Sequence, residues 1–261
     1  MKDSTLSGMQ KLFIRISLTL IVYFWIFSYR VCGQTLPSYD LDSVLLPDIN
    51  TFEKYYLTPN DTFLANTIER VNEGKNAEAM RILQQARPYP IVFYWLAWLN
   101  RTSSPEKSSY YLQQAEEMSP DPVFTFRPES IQIFNWAMDK QDSWKTKYYL
   151  GLLYWHQHLP EKAMDLFEQC GDIPEFAPFY VARAILFRNS DREYCMPCSD
   201  YDRAVILGPE DWRTWHFLTN FLQVKGAFQE QLVKSKEAYS YFPENPFIAA
   251  DYTRALKNSK K

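Results

Sequence analysis

Cys170, Ala204 and Ala238 stand 34 residues apart and then 34 again, and Pro209 and Pro243 repeat the same step. Two helix axes approach closely only where the side chains between them are small. A small residue recurring at this period is therefore the mark of stacked helix–turn–helix units. In such a stack each unit touches only its neighbours, so function lies on the long surface rather than in a catalytic pocket. The composition agrees. With 17% aromatic residues and only 7 Gly in 261, the chain suits packed helices, not a barrel or sandwich rich in tight turns.

Each unit needs large residues between its helices and small ones where the helices cross. The clearest copy is WKTKYYLGLLYWHQHLPEKAMDLFEQC, with Leu150, Tyr154 and Phe167 as large residues and Gly151, Ala163 and Cys170 as small ones. The next copy aligns Val181, Ala184, Tyr201, Ala204 and Pro209, and the third Trp215, Leu218, Leu222, Gly226, Phe228, Ala238 and Pro243. Two looser copies lie upstream, one through Gly74, Ala79, Leu83 and Ala86, the other through Trp95, Leu96, Leu99, Leu112, Ala115 and Pro120. From Ala115 to Cys170 the step is 55, one repeat plus 21 residues. That insertion holds PESIQIFNWAMDK, which predicts an extra helix starting at Pro128 with Ile131, Phe134 and Met138 on one face.

The expected organisation is a signal peptide or signal anchor over 1–33 and a linker or short packed lead-in over 34–61. Degenerate repeats follow over 62–120, a helical insertion over 121–143, three regular repeats over 144–243 and a capping helix over 244–261. Pro37, Pro47 and Pro59 forbid a long helix in the lead-in. At the N-terminus, Lys11 and Arg15 precede the apolar run Ile16 to Phe27, and Val31 and Gly33 offer a cleavage site before Gln34. That pattern predicts an exported protein (periplasmic, at the cell surface or secreted), with an uncleaved anchor over 12–28 as the alternative. Membrane contact is expected only through this segment. Beyond Gly33 the chain has 24 basic and 30 acidic side chains, so no basic stripe is present to bind nucleic acid.

With these motifs in view, residues 62–257 resemble tetratricopeptide-repeat (TPR) proteins. VFTFRPESIQIFNWAM, the long copy from Trp144 and the WRTWHFL stretch are similar to the C-terminal repeat region of large exported bacterial proteins. In those proteins the repeats follow a β-rich N-terminal domain of unknown function. The resemblance implies an all-α TPR-type helix–turn–helix superhelix, with one irregular helical insertion, that mediates assembly.

First-helix positions facing the concave side of TPR units fall on Lys145, Tyr148, Leu152, Trp155 and His156; then Phe179, Ala182, Leu186, Asn189 and Ser190; then Arg213, His216, Asn220, Gln223 and Val224. The expected partner-binding groove centres on Lys145, Tyr148, Trp155, Arg183, Arg213, His216 and Asn220, since Tyr, Trp and Arg dominate binding energy at interfaces. Arg183 and Arg213 would suit an acidic partner. Tyr148 and Trp155 would alternatively pack the insertion helix.

Cys195-Met-Pro-Cys198 predicts a short-range disulfide or free thiols in an interhelix turn; redox chemistry needs a preceding strand that the pattern lacks. His156 and His158 fall in the matching turn of the preceding repeat, so the four side chains form an alternative zinc set. Cys170 reads as a buried thiol. No G-x-S-x-G, H-E-x-x-H or phosphate-binding glycine loop is present, and only 3 His occur. The expectation is a non-catalytic protein-interaction scaffold without a cofactor, binding a protein partner. The alternatives are an accessory subunit of a carbohydrate-related system and a thiol or zinc protein centred on Cys195 and Cys198.

Overall fold

The computed structural model describes residues 47–57, 62–120, 124, 126–188 and 196–260, with the backbone alone at 196–198. The chain divides into Met1–Val44 and Leu45–Lys261, and all described residues belong to the second unit. The signal or anchor segment, including 12–28, lies outside them, as does Cys195. Among the described residues there are 13 helices and no strand, and no helix is long and apolar enough to cross a membrane.

In chain order the helices are α1 (Ile49–Tyr56), α2 (Thr62–Asn72), α3 (Asn76–Gln85), α4 (Pro90–Asn100), α5 (Pro105–Glu117), α6 (Ser130–Lys140) and α7 (Trp144–His156). They continue with α8 (Pro160–Cys170), α9 (Ala177–Arg188), α10 (Met196–Leu207), α11 (Trp212–Val224), α12 (Phe228–Tyr241) and α13 (Pro246–Asn258). Helices α2/α3, α4/α5, α7/α8, α9/α10 and α11/α12 pack as pairs, and α13 closes the last of them. The fold is an all-α TPR-type helix–turn–helix solenoid with α6 as its irregular insertion. Proline opens α4, α5, α8 and α13, where its missing N–H leaves no hydrogen bond unmade. Ser143, Asp211 and Asn245 cap α7, α11 and α13 by accepting from backbone N–H groups of the first turn.

Three pairs turn in the same way. Lys75 N donates to Arg70 O, Leu159 N to Tyr154 O and Ala227 N to Leu222 O, at 2.8, 2.9 and 2.9 Å. The residue before each donor, Gly74, His158 and Gly226, has φ of 75°, 58° and 75°. This is the left-handed helix C-cap that glycine adopts freely and a histidine adopts at a cost. His158 therefore stands where its sister pairs carry glycine.

The period-setting residues Cys170, Ala204 and Ala238 are all buried at the ends of α8, α10 and α12. A Cβ at Gly151 would collide with the Phe167 ring, so α7 and α8 come together where the small position allows it. The insertion differs from its expected face. Ser130, Ile133, Phe134 and Ala137 point inward, while Ile131 and Met138 are half-buried. Helix α6 lies between α4 and α7. Trp95 Nε1 donates to Ser130 Oγ at 3.2 Å, and the Phe134 ring sits 5.1 Å from Tyr94 and 5.4 Å from Tyr149. That double contact rotates α6 away from the face its sequence suggested.

Candidate interaction groove

The face formed by α7, α9, α11 and α13 is covered by the chain's own α1. Asp48 starts that helix by accepting from Thr51 N at 2.9 Å. Eight residues are too few for a stable helix in water, so packing must hold α1 together. Ile49, Phe52 and Tyr56 recur at helical spacing and are buried against the repeat helices. Phe52 lies 6.2 Å from Trp155 of α7, and α1 packs along α9. Tyr56 stacks on Phe217 of α11 at 5.9 Å. Tyr55 meets Trp212, His216 and Phe217 of α11 and Phe247 of α13 at 5.5–6.1 Å.

Arg213 holds the far end of α1. Its Nη1 donates to Tyr55 O at 2.8 Å, its Cζ lies 4.7 Å from the Tyr56 ring centre, and its Nε donates to Asp211 at 2.7 Å. Burial pushes the guanidinium pKa down, but the Asp211 bond and charge outweigh this and raise it. The fit of α1 is incomplete in two places. Among the described residues no group hydrogen-bonds to the buried Tyr56 Oη, a defect that costs about 1–3 kcal/mol. Beside Lys54 and Tyr55, a recess of about 790 Å³ stays open, lined by the acidic Glu175, Glu210 and Asp211 as well as by Phe176, Trp212 and Phe247.

Of the seven residues expected to line the groove, Trp155, Arg213 and His216 meet α1. Asn220 sits behind His216: its Nδ2 donates to His216 O at 2.8 Å, and its Oδ1 accepts from Arg254 at 2.8 Å. His216 Nδ1 is 2.6 Å from the buried Asp251 carboxylate. Lys145 is turned away; its Nζ donates to the carbonyls of Glu116 and Met118 at the end of α5, where a cation complements the helix dipole.

Tyr148 and Arg183 are internal rather than groove-facing. Tyr148 packs among Tyr149, Phe167, Phe176 and Phe179, and burial raises its phenol well above the ordinary value. Neither Tyr148 nor Trp155 makes its ring contacts with the insertion helix. Arg183 bridges α9 and α10 as a bidentate pair with Asp200, at 2.9 and 2.7 Å, and reaches Asp172 at 3.1 Å and the Gly171 carbonyl. Burial pushes its pKa down, but these carboxylates outweigh burial and raise it. With both Arg183 and Asp200 under 5% exposed, the pair is sealed from any partner.

His156 stacks face to face on Phe126, its ring 4.2 Å away, and His158 occupies the left-handed turn position. Cys195 and the Cys198 side chain lie outside the described residues, and with them the expected disulfide and half of the zinc set. Among the described residues no three His, Cys, Asp or Glu are grouped to hold a metal ion. Cys170 is buried, and burial pushes its thiol up to about 12.

Two signals in the sequence point to a covered groove. Phe179, Ala182 and Leu186 leave the groove side of α9 without a charged group. An apolar helix face requires a cover. The second signal is the aromatic spacing of Phe52, Tyr55 and Tyr56 within the proline-rich lead-in.

No protein-family description matches the chain, and no curated protein does. Among solved structures, it aligns with the ArsTM double mutant of MamA RS-1 at 13% identity over 83% of this chain and 97% of that one, with a TM-score of 0.34. MamA 41-end from Desulfovibrio magneticus RS-1 aligns at 13% identity over 83% and 98%, with a TM-score of 0.35. Similarity at this level carries neither fold nor function across; the fold assignment rests on the helix pairs themselves.

Proposed function

We propose that this chain is a non-catalytic protein-interaction scaffold, working in the cell envelope or outside the cell, that receives a helical segment of a protein on the face of α7, α9, α11 and α13. One observation carries the reading: that face already holds a helix. Helix α1 is seated through Phe52, Tyr55 and Tyr56 and fixed by the bond from Arg213 to Tyr55 O. Aromatic anchors at i, i+3 and i+4 in an apolar groove are a recurrent way of recognising a helix. The location outside the cytoplasm is supported by the basic-flanked apolar run Ile16 to Phe27.

A photo-crosslinking side chain at Phe247, on the groove rim, tests the reading against one at Val233, on the exposed surface of α12. Discrete protein adducts from position 247 and none from 233 are expected in cells producing the full chain. Equal labelling from both positions would remove the groove from consideration.

A further inference from the structure

We infer that the recess where the α4–α5 turn meets the end of α6 is a second docking point, taking a carboxylate of an acidic protein segment on Arg101 and Lys140, with that segment's neighbouring apolar side chain against Trp98 and Trp136. None of its residues lies on α7, α9, α11 or α13, so the inference stands apart from the groove.

The recess holds about 720 Å³, and no acidic side chain lines it. That runs against the trend of the chain, which beyond Gly33 has 24 basic and 30 acidic side chains. Arg101 lies over Trp98, its Cζ 3.4 Å from the ring centre, and its Nη1 donates to Trp98 O at 2.8 Å. The ring and this bond hold the guanidinium in place, and among the described residues its other N–H groups have no partner. Arg183 and Arg213 meet carboxylates that outweigh burial; at Arg101 burial acts alone and pushes the pKa down. Lys140, exposed in the last turn of α6, brings a second cation to the recess. Among the described residues no carboxylate pairs with either. A fixed guanidinium beside an ammonium group receives a carboxylate through charge-assisted hydrogen bonds.

The indoles define the rest of the ligand. Trp98 and Trp136 meet edge to face with centres 5.7 Å apart, and both are half-buried, so part of each ring faces water. An apolar side chain laid there would remove that surface from water. Trp and Arg are also the residue types that carry most binding energy at protein interfaces. An acidic residue next to an aliphatic one satisfies both halves of the recess, whereas a bare anion satisfies one.

The test uses the full chain with nitrogen-15 in its tryptophans, so that each indole N–H reports on its own site in NMR spectra. The probes are short peptides built of repeated Glu-Leu-Gly, Gln-Leu-Gly or Glu-Gly-Gly units, added at low salt. Glu-Leu-Gly is expected to shift the signals of Trp98 and Trp136 and leave Trp155 and Trp212 of the groove unmoved. The other two peptides should bind at least about tenfold more weakly. Arg101→Gln and Lys140→Gln should each weaken Glu-Leu-Gly by about tenfold, and Lys236→Gln, on the exposed surface of α12, should not.

Equal binding of Glu-Leu-Gly and Gln-Leu-Gly would overturn carboxylate recognition. Shifts at Trp155 and Trp212 alone would overturn the recess and favour the groove, and shifts at none of the four would overturn the recess without touching the groove. Should Arg101→Gln fail to fold, Lys140→Gln decides, because its side chain is exposed: unchanged binding overturns the inference and weakened binding supports it. Tighter binding of a galacturonic acid trimer than of Glu-Leu-Gly would assign the recess to an acidic saccharide instead. A wild-type dimer dispersed by Lys140→Gln would assign it to a second copy.

Discussion

Arg213 Nη1 donates a 2.8 Å hydrogen bond to the carbonyl oxygen of Tyr55, joining positions 158 residues apart. Tyr55 lies in the last turn of α1, where carbonyls have no partner within the helix. A guanidinium there satisfies the carbonyl and complements the negative end of the helix dipole. The same group lies over the Tyr56 ring, so one side chain of α11 fixes both the end and the rotation of α1.

Phe52→Ala removes the α1 anchor that is fully buried against Tyr56 and Trp155. The loss expected for a buried phenylalanine is about 3 kcal/mol or more, beyond what an eight-residue helix supplies alone. Hydrogen exchange should become fast across residues 49–57 while amides of α9 stay protected. Unchanged protection in α1 would show that Phe52 is not its anchor.

Asp48 makes the docking of α1 sensitive to acid. Burial pushes its carboxyl pKa up, but hydrogen bonds from Thr51 and Asn50 outweigh burial and leave it below the ordinary 3.8. A depressed folded value means that the cap contributes fully above about pH 4 and is lost as pH falls through the folded value. Protection of α1 amides should fall on acidification below about pH 4, and Asp48→Asn, which keeps a capping acceptor, should flatten that dependence.

Arg183→Met alone should cost about 3–5 kcal/mol in urea unfolding, because Asp200 is left buried without its partner. Arg183→Met with Asp200→Leu should recover most of it, since two apolar groups leave no orphaned charge. A double variant no more stable than Arg183→Met would mean that the ion pair itself supplies the stability.

His158→Gly should raise stability by about 1 kcal/mol, because the left-handed conformation at φ 58° costs a histidine what it does not cost glycine. The gain should appear as a higher urea midpoint. A loss would indicate that the His158 side chain contributes more than its backbone strain removes.

The repeat helices were legible because the rules behind them are local. Gly151, Ala163 and Cys170 mark close approach, and Pro209 and Pro243 follow the ends of α10 and α12. The face of α6 was not legible. Its apolar residues at 131, 133, 134, 136, 137 and 138 wrap most of the helix, and only the joint demand of α4 and α7 chose Ile133, Phe134 and Ala137. Of the residues assigned to the groove by repeat position, Trp155, Arg213 and His216 lie against α1. Tyr148 and Arg183 were misplaced because repeat position does not report what neighbouring aromatic and acidic side chains claim. Phe176, Phe179 and Asp200 claimed these two.

The sequence by itself determined the helix pairs and their stacking, since spacing of small, large and breaking residues acts within about 34 positions and each pair answers mainly to its neighbours. Only the tertiary structure decided that residues 49–56 fold over the groove. The hydrophobic effect has no direction along the chain, and eight residues carry too little periodicity to declare where their aromatic face will go. Phe52 and Tyr56 found the apolar faces of α7, α9 and α11 because the stack had placed those faces side by side.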